Sequence, residues 1–205
     1  DFCLSRGLGD VYKRQVKMSE SKDKNKVHYD LQNVFVAPLT LDDSDIPAFG
    51  TPKRLYGAVG MDLSAQGDTT ILRADGVNYY VNTSNQGYQG DLTLAMVPDW
   101  FRAEYLGQSI SDKDKVLVEN AKTDQPKPFA LLYEFQGDVH ARRHVLYNTL
   151  ATRPSVAGEN KDNQREPDTE ALTLTASPLP DGAVKASTTE ETPDTVYNNL
   201  SLIHI

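Results

Sequence analysis

Apolar residues in this chain recur at every second position, in short runs that Gly, Pro, Asn and Asp close off. That period puts alternate side chains on opposite faces of an extended strand and argues against a helical bundle. Ala171 to Ser177 (ALTLTAS) alternates most cleanly, and Phe129 to Phe135 (FALLYEF) is almost wholly apolar, as a strand covered on both faces would be. Asp75-Gly76 is a hairpin turn signal between Thr69–Arg73 and Val77–Asn82. Further strands are expected at Val27–Val36, with Val27, Tyr29 and Leu31 on one face, at Leu55–Leu63, weakened by Gly57 and Gly60, and at Val116–Val118, His144–Leu150 and Ala183–Ser187. Leu41–Pro52 and Ala157–Asp168 read as loops, and Thr188–Asp194 as a flexible connection. The sum predicts a mainly β chain: a β-sandwich or barrel-like domain with one short flanking α-helix.

The helix belongs to the densest block, Tyr79 to Gly107. Tyr79, Tyr80 and Val81 favour a strand, and Asn85, Gln86 and Gly87 mark a turn. Gly90, Leu92, Leu94 and Met96 then fall on one face of a second strand, with Asp91, Thr93, Ala95 and Val97 on the other. Pro98 suits a helix edge, Asp99 offers an N-cap oxygen and Gly107 can close the C-terminus. Trp100, Phe101, Tyr105 and Leu106 are spaced to plug a sandwich core rather than to present an aromatic binding surface.

The two ends read as foreign. Asp10 to Gln15 (DVYKRQ) and Leu200 to Ile205 (LSLIHI) are the translations of AGATGTGTATAAGAGACAG and of its reverse complement, a transposase adapter used in DNA library preparation. Residues 1–15 and 200–205 are therefore set apart from fold reasoning as translated adapter. Cys3, the one cysteine, falls in that segment, Met18 reads as the start, and the native C-terminus is expected to be cut off after Asn199. The expected organisation is a flexible arm over 16–26, a β-sandwich domain over 27–188 and a truncated segment over 189–199.

The formal charge is −8, and −9 once Asp1, Arg6, Asp10, Lys13 and Arg14 are removed, which disfavours a surface that wraps nucleic acid. No apolar run approaches the ~18 residues of a membrane span. His140 and His144 are four apart but read as a turn entering a strand, with no third metal ligand in view. Arg142-Arg143 reads as a solvated or interface pair. Asp42, Asp43 and Asp45 lack the glycine and glutamate of a calcium loop. No phosphate loop, nucleophile elbow or zinc-protease motif is present, and Asn82-Thr83-Ser84 is a glycosylation sequon without a secretion signal. No catalytic, cofactor-binding or metal residue is therefore assigned, and the chain is not expected to be an enzyme.

The Tyr79–Gly107 block, Lys127 to Gly137 (KPFALLYEFQG), Arg143 to Asn148 (RHVLYN), Arg153-Pro154-Ser155, Leu172 to Gly182 (LTLTASPLPDG) and Val196 to Asn199 (VYNN) together resemble the major tail proteins of long-tailed bacteriophages. The resemblance covers roughly Val27 to Asn199 in order and spacing. Family members continue past the VYNN-like segment, where this chain turns to adapter. The resemblance implies a virion structural subunit, made in the host cytoplasm. It implies hexameric rings of self-associated subunits stacked into a tube around a tape-measure protein. Tail terminator and distal tail proteins would sit at the tube's ends, and genomic DNA would pass through without sequence-specific contact. An acidic lumen would repel duplex DNA from all sides and let it slide. The alternative carried alongside is an Ig-like β-sandwich binding module on the virion surface or tail tip.

Overall fold

The computed structural model describes residues 25–42, 44–156, 158 and 167–198. The adapter segments, Asp43 and most of the 157–168 loop lie outside the described residues, as does all of the 16–26 arm except Asn25 and Lys26. Among the described residues, thirteen strands and two short helices follow in order: β1 (His28–Leu41), β2 (Pro47–Phe49), β3 (Lys53–Arg54), β4 (Ala58–Gln66), β5 (Thr69–Ala74), β6 (Val77–Thr83), β7 (Gly87–Leu94), α1 (Asp99–Tyr105), β8 (Ser109–Ile110), β9 (Leu117–Val118), β10 (Phe129–Gly137), β11 (Arg142–Ala151), β12 (Glu170–Ala176), β13 (Lys185–Ser187) and α2 (Asp194–Asn198). The fold is mainly β, as the alternation requires.

One antiparallel sheet runs β2-β1-β10-β11-β12-β7-β4, with β13 on β11 and β3 on β1. It curls until β4 comes into contact with β1, and the Leu55 N–H, directly after β3, extends the β3–β1 pairing by donating to the Val34 carbonyl at 2.8 Å. Inside the curl lies one core, drawn from Val34 and Val36 of β1, Leu92 and Leu94 of β7, Leu131 of β10, Leu146 of β11 and Leu172 and Leu174 of β12. β10 is buried on both faces, because Ala130 and Leu132 join Ala37 and Val145 in a smaller cluster on the outer side. This is why FALLYEF does not alternate.

Three local expectations are corrected. β1 does not carry Val27, Tyr29 and Leu31 inward as one set: its pairing with β10 shifts register between His28 and Leu31 and between Gln32 and Phe35, and Asn33 takes φ 50°. The bulges reset the alternation, so Leu31 touches the core while Val27 and Tyr29 are exposed. The Leu41–Pro52 loop carries a short strand, β2, whose Phe49 packs at 6.1 Å from Tyr147. Met96 is not on the core face; β7 ends at Leu94, Met96 is 69% exposed, and Val97 turns inward instead.

α1 seats as predicted but caps differently. Pro98, at φ −66° and ψ 145°, occupies the N-cap with no side-chain hydrogen bond, and its carbonyl accepts from Phe101 and Arg102. Asp99 therefore falls one position inside, in the first turn, where its negative charge sits favourably at the positive end of the helix dipole. Phe101 and Tyr105 close on Phe129 at 5.6 and 5.0 Å, and Leu106 is buried beside them. Gly107 ends the helix at φ +78°, where an added Cβ would lie 2.6 Å from the Gln125 carbonyl oxygen. Glu170 at the head of β12 ties the helix to the sheet, accepting two bonds from Arg102 at 2.8 and 2.9 Å and one from the Val97 N–H at 2.6 Å.

Candidate assembly interface

The chain from β4 to β7 is one long antiparallel ribbon with two unlike halves. In the lower half, β4 pairs with β7 and β7 with β12, so Leu92 and Leu94 lie under the sheet and are fully buried. In the upper half, β5 and β6 form a sheet of two strands that pairs with nothing else among the described residues. Asp75 and Gly76 close it with φ 52° and 77°, the two positive values a type I′ turn demands.

The halves meet at a polar knuckle. Ser84 and Asp68 exchange backbone and side-chain hydrogen bonds, with Ser84 N–H to the Asp68 carbonyl at 2.9 Å and Asp68 N–H to Ser84 Oγ at 3.0 Å. Gln86 Nε2 adds a bond to Asp68 Oδ2 at 3.1 Å. Gly67 lets the strands cross this closely, since a Cβ there would overlap the Ser84 carbonyl.

Above the knuckle both faces carry exposed apolar side chains between polar pairs such as Thr70–Asn82 and Arg73–Asn78. Leu72 stands opposite Tyr80 on one face and Ile71 opposite Val81 on the other. Tyr79 is 72% exposed, Leu72 58% and Tyr80 57%, and Val77, Val81 and Ile71 are exposed as well. An isolated two-stranded hairpin is marginal in water, and the described residues give this one neither a third strand nor a roof. The two tyrosines, at about 150–250 Å² each when whole, leave on the order of 250 Å² uncovered, and the aliphatic neighbours roughly double it. Divided between the two faces, that is comparable to the largest apolar patch of a typical monomer, which is often functional.

Of the other candidates from the sequence, His140 and Arg143 meet on Tyr197, while His144 lies apart from them. His144, on β11, stacks on Tyr133 at 5.0 Å and abuts Phe135 at 5.5 Å. Burial, with Lys185, Arg142 and His28 adding to it, lowers its pKa to about 4. It borders a cleft of ≈ 400 Å³ with His28, Met61, Leu63, Tyr88 and Phe135, where the curled sheet stays open between β4 and β10. His140 instead packs on the Tyr197 ring of α2 at 4.3 Å. Arg143 pairs with Glu134 at 2.9 Å, lies 4.2 Å over the Tyr197 ring and donates to the Tyr197 carbonyl at 2.5 Å. Asp42 accepts from the Ser44 and Ile46 N–H groups as a local turn, and Asn82 and Thr83 lie on β6. Trp100 is half-buried beneath Lys53, whose Nζ sits 3.6 Å from its ring centroid.

The turn over 136–141 is held from two sides. Asn25 Oδ1 accepts the N–H groups of Val139 and His140 at 3.0 and 2.8 Å, and the Asn25 N–H donates to Glu190 at 2.6 Å. Tyr197 OH donates to the Ala141 carbonyl at 3.0 Å.

No family model matches this chain, and no curated protein does. Among solved structures, the tube-terminating cap of an anti-feeding prophage is similar over 84% of this chain and 99% of that one, at 14% identity and a TM-score of 0.45.

Proposed function

We propose that this protein is a structural subunit of a bacteriophage tail tube, assembling with copies of itself into stacked rings. The observation that carries the reading is the β5–β6 hairpin, whose apolar side chains the described residues leave uncovered. A self-assembling shell needs such an element, and an enzyme or a monomeric carrier does not. The sequence resemblance to major tail proteins points the same way. The tape-measure protein, the terminator and distal tail proteins and the passing genome are the partners this role implies.

Electron microscopy and sedimentation of the full chain test it. Rings or tubes that disappear in Leu72→Asp are the expected result. A monodisperse monomer with glycan affinity at Tyr79 and Tyr80 would overturn it in favour of a tail-tip binding module.

A further inference from the structure

We propose that the open end of the curled sheet is a binding site for a small amphipathic carboxylate, an anion carried on a short aliphatic or aromatic body. The core runs along β10 between two unlike ends. At the first, Phe101 and Tyr105 of α1 close on Phe129. At the other, about 20 Å further along the strand, Phe135 stands beside the ≈ 400 Å³ cleft that His144 borders, and no residue of either helix lines that cleft. The sheet stays open there for a reason of pairing. β3 covers β1 only at Phe35 and Val36, and the Leu55 bond adds Val34. The first half of β1 therefore has β10 on one side and no described strand on the other.

The walls of the cleft are apolar and its rim is cationic. Leu146 belongs to the core, and Met61 and Leu63 pack against it. Lys185 and Arg142 bring positive charge to the rim. Lys185 Nζ lies 4.7 Å over the Tyr88 ring and has no carboxylate partner among the described residues, while Arg142 has Glu190 at 4.0 Å. Asp62 is the one acid among the lining residues, and the alternation from Met61 and Leu63 turns its side chain to the outer face, opposite Asp91. The mouth is thus positive in a chain whose formal charge is −8. The rim selects an anion, and the walls select its apolar body. His144 adds a neutral polar contact. Burial, with Lys185, Arg142 and His28 adding to it, holds its pKa at about 4, so the ring is uncharged at neutral pH. Its Nδ1 is sealed without a hydrogen-bond partner, which leaves Nε2 as the nitrogen it can offer the cleft. As an N–H, that nitrogen donates to a carboxylate oxygen. The space equals about thirteen waters at ~30 Å³ each. That is room for an anion of about ten heavy atoms, in a place where barrel-like sheets commonly hold ligands.

Calorimetric titration of the full chain with sodium octanoate tests the site, with sodium acetate, inorganic phosphate and 1-octanol as comparisons. One octanoate per chain is expected, with a Kd on the order of 0.1 mM. Acetate, phosphate and octanol should each bind at least about ten-fold more weakly, since each lacks either the apolar body or the charge. Lys185→Glu reverses the charge of an exposed side chain, so folding is preserved, and should weaken octanoate about ten-fold. Leu72→Asp, on the hairpin, should leave octanoate binding as it is. A lack of saturable octanoate binding overturns the proposal. So does phosphate binding as tightly as octanoate, which would make the rim a general anion site. Octanoate binding that Lys185→Glu does not weaken overturns it too, as does binding that Leu72→Asp removes, which would place the ligand on the hairpin. None of these outcomes bears on the tail-tube reading, which rests on assembly.

Discussion

The lower and upper halves of the β4–β7 ribbon share a backbone, a pairing pattern and a similar share of apolar residues, yet they live in opposite environments. Leu92 and Leu94 are held by a third strand and a full core, while Leu72 and Tyr80 are held by each other. Strand pairing alone therefore does not say where stability resides. The lower half is secured by burial that the subunit provides. The upper half keeps its shape through a favourable turn and a polar knuckle, and its apolar faces await a partner.

The sharpest way to break this contrast is truncation on each side of it. Phe101→Ala removes a ring that is 1% exposed and central to the aromatic cluster, and should cost about 3–5 kcal/mol in chemical denaturation. Tyr80→Ala should cost less than about 0.5 kcal/mol in the monomer while abolishing assembly. Equal monomer losses would show that the hairpin has hidden support.

Next in size is Glu170→Ala. It leaves the Arg102 guanidinium and the Val97 N–H without their shared acceptor, and should cost about 2–3 kcal/mol. Amide exchange should then rise at α1 and the end of β7, not at β5–β6.

A pH titration probes the open seam of the core. His144 has a folded pKa of about 4 against an ordinary 6.5, so the unfolded chain binds the proton more readily. Its contribution is present above pH 6.5 and is lost as pH falls from 6.5 to about 4. Allowing for partial exposure, the loss is on the order of 1–2 kcal/mol. The melting temperature of His144→Phe should fall less steeply over that window than that of the wild type.

The smallest effect is a gain. The Tyr105 hydroxyl is buried with no hydrogen-bond partner, and burial raises its pKa. Tyr105→Phe should stabilise by up to about 1 kcal/mol in thermal melts, and a loss instead would reveal a bond to water.

What was legible in the sequence was local. ALTLTAS, FALLYEF and the Asp75-Gly76 turn fall on β12, β10 and the β5–β6 turn because period and turn chemistry are properties of neighbouring residues. The plug role of Phe101, Tyr105 and Leu106 was legible from helical spacing. The bareness of the hairpin was not, because Tyr79-Tyr80-Val81 reads as a strand whether or not a roof exists. Neither was α2, which lies in the 189–199 segment read as truncated: Tyr197 is fixed by Arg143 and His140, more than fifty residues away. Met96 was misplaced by continuing an alternation one step past the last paired residue.

The shared grip of Asn25 and Tyr197 on the 136–141 turn has a topological consequence. Both ends of the described chain come to one corner of the domain. A short linker can therefore join them, and the loop so made can be reopened at Asp75-Gly76. Such a circular permutant keeps every strand of the main sheet and severs the hairpin at its tip, leaving a subunit that folds but has two loose arms where a rigid hook once stood.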